Sequence, residues 1–265
     1  MSKTNKKELK NYNSNHYCLI KNFIKEKDLS QIDKTFRIYL KKFLNFEIKS
    51  KKFIFHNKSL HNFLIKKKQK NKFFFHRLYN SIQASSGFHS FLNSRKMLNL
   101  VSKFLDCKNE EIITSSYQLR ADFPNDKLHR LDWHFDAFYD TYKPKVSFES
   151  KSGLVFYLPL QNFNKKNGTV QILKESYKLK IKNKPIKQKN KITTKFKIKN
   201  SEINNYNNKN ISGEFGDIFM QSYRLLHRSG LNKSKKIRFT LIARYMNIKD
   251  TNFKGCRIGL QELVD

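Results

Sequence analysis

The spacing of apolar residues divides the chain into a helical first part and a strand-rich second part. Within residues 1–109, apolar side chains recur every three or four positions, as expected for amphipathic helices. The pattern predicts helices over about 28–46, 60–78 and 95–105, after a mostly polar segment at 1–27. The predicted apolar face of the first helix consists of Ile32, Phe36, Tyr39, Leu40 and Phe43. We expect these helices to form a layer that packs on another element.

From residue 112 onward, the apolar runs become shorter and polar turns separate them, which indicates strands. We predict strands over about 113–120, 153–160, 168–173, 213–220 and 237–246. The run at 153–160 is apolar throughout, as suits a strand that is buried on both faces. A series of short strands of this kind favours a jelly roll or a barrel.

The length of 265 residues predicts a single domain, 1–265, with one sizeable core. Its parts are a mostly helical region at 1–109, a β core at 110–247 and a C-terminal tail at 248–265. Residues 174–211 form a Lys- and Asn-rich insertion. We favour a solvated hairpin or edge strand there, because lysines prevent edge pairing. A lid that carries positive charge to a substrate is the other interpretation.

The formal net charge of +34 changes the range of partners to consider. A strongly basic chain attracts nucleic acid, membrane surfaces and acidic substrates. The lysines, however, are spread along most of the chain, together with many Asn, Ile and Phe residues, all of which have AT-rich codons. We therefore favour a compositional origin for the charge, which leaves nucleic-acid binding as an alternative.

The three cysteines are far apart in sequence, which favours free thiols in a reducing compartment. They are Cys18, Cys107 and Cys256. No apolar run reaches the length of a membrane-spanning helix, and the first residues lead into no apolar signal segment. The expectation is a soluble cytoplasmic protein without a membrane span.

Candidate metal chemistry begins at His134-Phe135-Asp136. On a strand, residues two apart point to the same face, so His134 and Asp136 would be aimed together. They would supply two of the three ligands of a 2-His-1-carboxylate site for non-haem Fe(II). With 8 histidines in the chain, such a pair also arises by chance, and a surface turn is the alternative.

The late histidine His227 supplies the context that the pair lacks. It follows Gly216-Asp217 and lies 11 residues before Arg238, which begins a strongly strand-like segment. Ser229 stands two positions after it. This order of residues resembles the phytanoyl-CoA dioxygenase family of Fe(II)/2-oxoglutarate-dependent oxygenases, over about 110–247 and more loosely in the helices before it.

The resemblance extends to Asn167-Gly168 after the hydrophobic strand and departs from the family at the turn that follows. There the usual Pro-Gly-Ser-His is replaced by Lys174-Glu175-Ser176-Tyr177, which retains only the serine. Substrate contacts made by that turn in the family are therefore not carried over.

The resemblance implies a double-stranded β-helix core of jelly-roll or cupin-like type, mainly β with α, with the N-terminal helices packed on it. It implies that His134, Asp136 and His227 hold Fe(II), and that Arg238 and Ser229 bind the far carboxylate of 2-oxoglutarate. The implied reaction uses O2 to hydroxylate an unactivated C–H bond of a small organic substrate, while 2-oxoglutarate becomes succinate and CO2. Because Asp136 is present, we expect hydroxylation rather than the halogenation of related enzymes.

Gln118 and Arg120 share one face of the strand before the metal motif. We interpret them either as substrate contacts, in which case Arg120 suits an anionic group, or as part of a solvent-facing surface. Two alternatives to the oxygenase stay open, a basic nucleic-acid-binding protein and a barrel that binds a ligand without turnover.

Overall fold

The computed structural model describes residues 3–71, 75–127, 130–136, 153–179, 186–189, 194–198 and 200–249. Its helices are α1 (Lys3–Asn15), α2 (Ser30–Leu44), α3 (Lys58–Lys70), α4 (Phe75–Gln83), α5 (Ser86–Leu92) and α6 (Arg95–Leu105). The strands are β1 (Tyr17–Ile20), β2 (Ile112–Asp122), β3 (Gly153–Pro159), β4 (Val170–Leu173), β5 (Ile186–Lys189), β6 (Thr194–Lys197), β7 (Asn208–Asn210), β8 (Ile218–Ser222), β9 (His227–Ser229) and β10 (Arg238–Asn247).

Helix α6 forms where the sequence predicts it, because its apolar spacing and its cap agree. The side chain of Ser94 accepts a hydrogen bond from the backbone N–H of Met97 at the start of the helix. Met97, Leu100, Val101, Phe104 and Leu105 are all buried along one face. That face packs against the core, which also receives Tyr12 of α1 edge-on to Phe104.

The helices differ from expectation at four places, one of which is α5, a helix that the pattern did not predict. The predicted helix over 60–78 is two helices, α3 and α4, because Asn71 adopts an extended conformation and ends α3. Helix α2 begins only at Ser30, after a short 3-10 turn at Glu26–Leu29. On its apolar face Ile32, Phe36 and Leu40 are buried, whereas Phe43 in the last turn is 43% exposed. The polar segment at the start of the chain forms α1, which the pattern did not predict.

The described part of the strand-rich half contains three antiparallel sheets, of which the two larger ones form the core. The larger has the strand order β1-β8-β3-β10-β2 and the smaller has the order β7-β4-β9. Strand β3 lies in the middle of the larger sheet, between β8 and β10, which explains its continuous apolar sequence. The expectation of a jelly-roll core with helices packed on it is confirmed, although the sheets do not close into a barrel.

Alternating residues of the larger sheet enter two different cores. Leu154, Phe156 and Leu158 of β3 pack with the helices, whereas Val155 and Tyr157 face the opposite side. That opposite side packs against Ile172 of the smaller sheet. Residues on this inner face of β3 and β10 are therefore placed between the sheets, where the functional candidates also lie.

The Lys-rich insertion contains an antiparallel hairpin of β5 and β6. Residues 250–265 of the predicted C-terminal tail, with Cys256, lie outside the described residues. Cys18 and Cys107 are free thiols, as predicted. Over the described ranges, no helix combines the length and apolar character needed to span a bilayer.

Candidate metal and co-substrate site

His134 and His227 are brought together by a short antiparallel bridge between the segment before residue 137 and β9. The N–H of His134 donates to the carbonyl of His227 at 3.0 Å, and the N–H of His227 donates to the carbonyl of His134 at 3.1 Å. The two imidazole rings lie with their centroids 4.2 Å apart. Residues distant in sequence thus become neighbours at the inner face of the smaller sheet.

Asp136 completes a buried cluster of three possible metal ligands. One ligand atom each from His134, Asp136 and His227 can be chosen so that all three lie within 4.8 Å of one another. The Asp136 side chain is fully buried, and its Oδ2 has no hydrogen-bond partner among the described residues. A buried carboxylate oxygen without a partner is costly unless a cation binds there.

Both imidazoles are oriented by backbone carbonyls. The Nδ1 atom of His134 lies 2.7 Å from the carbonyl oxygen of Asp132, and Nδ1 of His227 lies 3.0 Å from that of Leu225. A neutral imidazole that donates through Nδ1 has its lone pair on Nε2. The two Nε2 atoms are therefore the available metal-binding atoms, held in the way that outer hydrogen bonds usually orient ligating histidines.

The charge states of the cluster suit a divalent metal ion. Burial, reinforced by the neighbouring His227, lowers the pKa of His134 to about 3, and burial also lowers the pKa of His227. Burial alone would raise the pKa of Asp136, but the Arg244 guanidinium and the two imidazoles hold it at about 2. Two neutral imidazoles and one carboxylate are therefore present at neutral pH, which is the donor set of a 2-His-1-carboxylate iron site.

Tyr157 and Arg244 are the closest polar neighbours of this cluster. The hydroxyl of Tyr157 lies 3.1 Å from Nε2 of His227 and accepts a hydrogen bond from Gln221 at 3.3 Å. Arg244 donates from Nε to Oδ1 of Asp136 at 3.0 Å and from Nη1 to the hydroxyl of Ser116 at 3.1 Å. Its Nη2 also contacts Oδ1 of Asp136.

A second charged group lies at the other end of the same pocket, around Arg238. Its Nε donates to the carbonyl of Asn167 at 3.1 Å and its Nη1 to the hydroxyl of Thr240 at 2.8 Å. Its Nη2 lies 2.5 Å from Oδ2 of Asp122, and Arg120 donates to Oδ1 of that carboxylate at 2.8 Å. Two guanidinium groups thus contact one carboxylate at this place in the pocket.

The predicted site residues other than Asp136 line one pocket. Its lining includes His134, His227, Ser229, Arg238, Gln118 and Arg120. Gln118 accepts a hydrogen bond from the hydroxyl of Tyr79 at 3.1 Å, and the Ser229 side chain is buried. Gln118 and Arg120 therefore face the pocket rather than solvent, while the roles of all these residues stay predictions.

Sequence reasoning missed three contributors, namely Asp122, Tyr157 and Arg244 as a partner of Asp136. Tyr157 lies in the apolar run at 153–160, where it is the one residue with a hydroxyl group. That hydroxyl is the feature of the sequence that could have indicated a polar role. Strand alternation places Arg244 on the same face as Arg238, but the sequence does not indicate Asp136 as its partner. Arg228 also lines the pocket, donates to Oε1 of Gln171 at 2.6 Å and stacks on Trp133 at 4.4 Å.

Solved structures with the same fold include enzymes of natural-product pathways. Over 98% of this chain and 89% of the other, it superimposes on the non-haem α-ketoglutarate-dependent carbocyclase SnoK from nogalamycin biosynthesis, with 14% identity and a TM-score of 0.63. AviO1 from Streptomyces viridochromogenes Tue57 aligns over 96% of this chain and 98% of its own, with 13% identity and a TM-score of 0.59. The epimerase SnoN in complex with Fe3+, α-ketoglutarate and nogalamycin RO aligns over 92% and 83%, with 11% identity and a TM-score of 0.57.

The similarity to these solved structures establishes the fold, whereas the family is established by a sequence comparison. A search of curated proteins finds no match to the chain. The sequence profile described as phytanoyl-CoA dioxygenase (PhyH) matches residues 12–240, which include every candidate site residue named above except Arg244. The cofactors of this family are Fe(II) and 2-oxoglutarate, and the buried His-Asp-His cluster has the donor set for that iron. The chain belongs to the phytanoyl-CoA dioxygenase family of Fe(II)/2-oxoglutarate-dependent oxygenase-type enzymes.

Proposed function

We propose that this protein is a 2-oxoglutarate-dependent dioxygenase that hydroxylates an unactivated C–H bond of a small organic molecule. The observation that carries the proposal is the buried cluster of His134, Asp136 and His227, with one carboxylate oxygen lacking a partner. In this proposal the two Nε2 atoms and Oδ2 of Asp136 hold Fe(II). Bound iron with 2-oxoglutarate would supply the activation of O2, giving one hydroxyl group on the substrate together with succinate and CO2.

The protein side chains would bind and orient the co-substrate. Arg238 is 3% exposed and stays charged, so its guanidinium suits the far carboxylate of 2-oxoglutarate. Ser229 lines the same pocket and would donate a further hydrogen bond to that carboxylate. Arg120 and Arg238 both contact Asp122, and an incoming carboxylate would give Arg238 a second anionic partner.

The rest of the pocket favours a substrate that carries an anionic group. Its lining contains the guanidinium groups of Arg120, Arg228, Arg238 and Arg244, and no carboxylate is among the described lining residues. Among the described residues, Asp122 and Asp136 are the carboxylates that form ion pairs with these arginines. We therefore assign Gln118 and Arg120 to substrate contacts, with a small carboxylate or phosphate ester as the preferred class.

The direct test is product analysis with isotopically labelled O2. Purified protein with Fe(II), 2-oxoglutarate and a panel of small anionic compounds should release succinate and place one labelled oxygen atom in a product. Asp136→Ala should abolish both. A product of unchanged mass would indicate epimerisation instead of hydroxylation, the reaction named for SnoN. A product that has lost two hydrogens would indicate ring closure, the reaction named for SnoK. A folded protein that never consumes 2-oxoglutarate would refute the proposal.

A further inference from the structure

Arg244 is the strongest polar contact of the proposed metal-binding carboxylate. Two of its nitrogens, Nε and Nη2, contact the same oxygen, Oδ1 of Asp136, while Nη1 donates to the hydroxyl of Ser116 on β2. The guanidinium is thereby anchored to the sheet at one end and to the carboxylate at the other. Because a guanidinium is planar, this double anchorage fixes its plane.

The two oxygens of Asp136 consequently have different surroundings. Oδ1 is saturated by Arg244, whereas Oδ2 has no hydrogen-bond partner among the described residues and lies 3.5 Å from Nε2 of His227. Oδ2 is therefore the oxygen that is left to accept a metal ion.

The backbone around Asp136 does little to fix its side chain. His134 is joined to β9 by one bridge, and Asp136 itself lies in a turn rather than in a strand. Strand β10, in contrast, is paired on both edges, with Ser116 opposite Arg244 on β2 and Val155 opposite it on β3. Arg244 is therefore held in place by the sheet, and its contact with Asp136 restrains the carboxylate in the turn.

We propose that Arg244 is a positioning residue that blocks Oδ1 of Asp136, so that the carboxylate binds the metal through Oδ2 alone. This inference rests on the proposed function, because it concerns the same metal site. A carboxylate restricted to one oxygen occupies one coordination position and leaves the remaining ones for the co-substrate and O2. A carboxylate free to rotate could bind through both oxygens and would occupy one position more.

Loss of Arg244 has two opposing effects on metal affinity. Removing a positive charge next to the carboxylate should strengthen the binding of a cation. A carboxylate that is free to rotate in a turn is no longer held in the orientation for metal binding, which should weaken it. We expect orientation to dominate, since removing the hydrogen-bond partner of a metal ligand typically lowers metal affinity about 10- to 100-fold. The structure offers a matched control in Arg228, which lines the same pocket with the same charge but contacts Gln171 and Trp133.

The test is anaerobic Fe(II) titration of the full chain, with the visible charge-transfer band of the Fe(II)–2-oxoglutarate complex as a second readout. Arg244→Ala should bind Fe(II) about 10- to 100-fold more weakly and should shift the band. Arg228→Ala should retain the wild-type affinity for Fe(II) added alone. Arg244→Lys keeps the charge but cannot place two nitrogens on one oxygen, so it should lie between Arg244→Ala and the wild type.

The outcomes separate this inference from the proposed function. If the wild type binds Fe(II) and Arg244→Ala shows the same affinity and the same band, the positioning role is wrong while the metal site stands. If the wild type binds no Fe(II), or if His227→Ala binds it equally well, the metal site itself is wrong. Should Arg244→Ala fail to fold, Arg244→Lys decides alone, and a wild-type affinity and band in that variant overturn the inference.

Discussion

At the scale of single residues, local spacing and long-range packing contributed separately to the candidate site. One residue separates His134 from Asp136, and Ser229 and Arg238 follow His227 by 2 and 11 residues. These spacings are properties of the local sequence, and the family resemblance made them interpretable. The contacts of Asp122 and Arg244 with other charged groups depend on which strands become neighbours. No local pattern contains that information, so the charge balance of the pocket could be derived only from the folded structure.

His61 provides a residue-scale test that is independent of the metal site. It is 2% exposed, accepts a hydrogen bond at Nδ1 from the N–H of Ile237, and lies with Nε2 2.9 Å from the carbonyl of Phe55. Burial lowers its pKa from 6.5 to about 4. The unfolded chain therefore takes up a proton near pH 6.5, whereas the folded chain does so only near pH 4.

This difference predicts that stability falls as the pH is lowered from about 6.5 towards 4, because protons stabilise the unfolded state first. Between pH 7 and pH 5 we expect His61 to account for a loss of about 2 kcal/mol in the free energy of unfolding. Urea denaturation of the wild type and of His61→Gln at both pH values measures it. Equal pH dependence in the two proteins would show that His61 has no such role.

At the scale of elements, helix α6 and the strands β3 and β10 were predictable because each carries a complete pattern of its own. Helix α1 and the break between α3 and α4 were not, because their sequences are Lys-rich and tertiary contacts such as Tyr12 on Phe104 decide them. The order of the strands in the two sheets is likewise a matter of pairing between distant segments.

The turn before β4 links the backbone conformation of this region to the position of a site residue. Gly168 has a φ of +81°, and a Cβ added there would lie 2.5 Å from the backbone nitrogen of Asn232. The preceding carbonyl, that of Asn167, accepts the hydrogen bond from Nε of Arg238. A side chain at residue 168 would therefore disturb both the turn and the position of Arg238.

We expect Gly168→Ala to lower the free energy of unfolding by about 2 kcal/mol, because the left-handed conformation and the close contact are both unfavourable to alanine. It should also weaken 2-oxoglutarate binding to the Fe(II)-loaded protein. The control is Lys165→Ala at an exposed position of the same turn, which should change neither quantity. A fully stable Gly168→Ala with unchanged co-substrate affinity would contradict this account of the turn.

At the scale of the whole molecule, the net charge of +34 predicts non-specific attraction to polyanions that is separate from the active site. Binding to a mixed-sequence oligonucleotide should weaken about a thousandfold or more between about 50 and 200 mM salt, as counterion release requires. Binding of 2-oxoglutarate in the buried pocket should change much less, because buried pairs are weakly screened. Fluorescence anisotropy over a salt series measures the first quantity, and tight sequence-selective binding that persists at high salt would favour the nucleic-acid alternative.

The most direct test of the central claim is to add 2-oxoglutarate without oxygen to the Fe(II)-loaded protein and to record the visible charge-transfer band of the chelate. The account predicts a saturable band in the wild type and no band in His227→Ala. In Arg238→Ala the band should need on the order of 100-fold more 2-oxoglutarate, since a buried charge partner is lost. A folded wild-type protein that gives no band with Fe(II) and 2-oxoglutarate would contradict the assignment of this site.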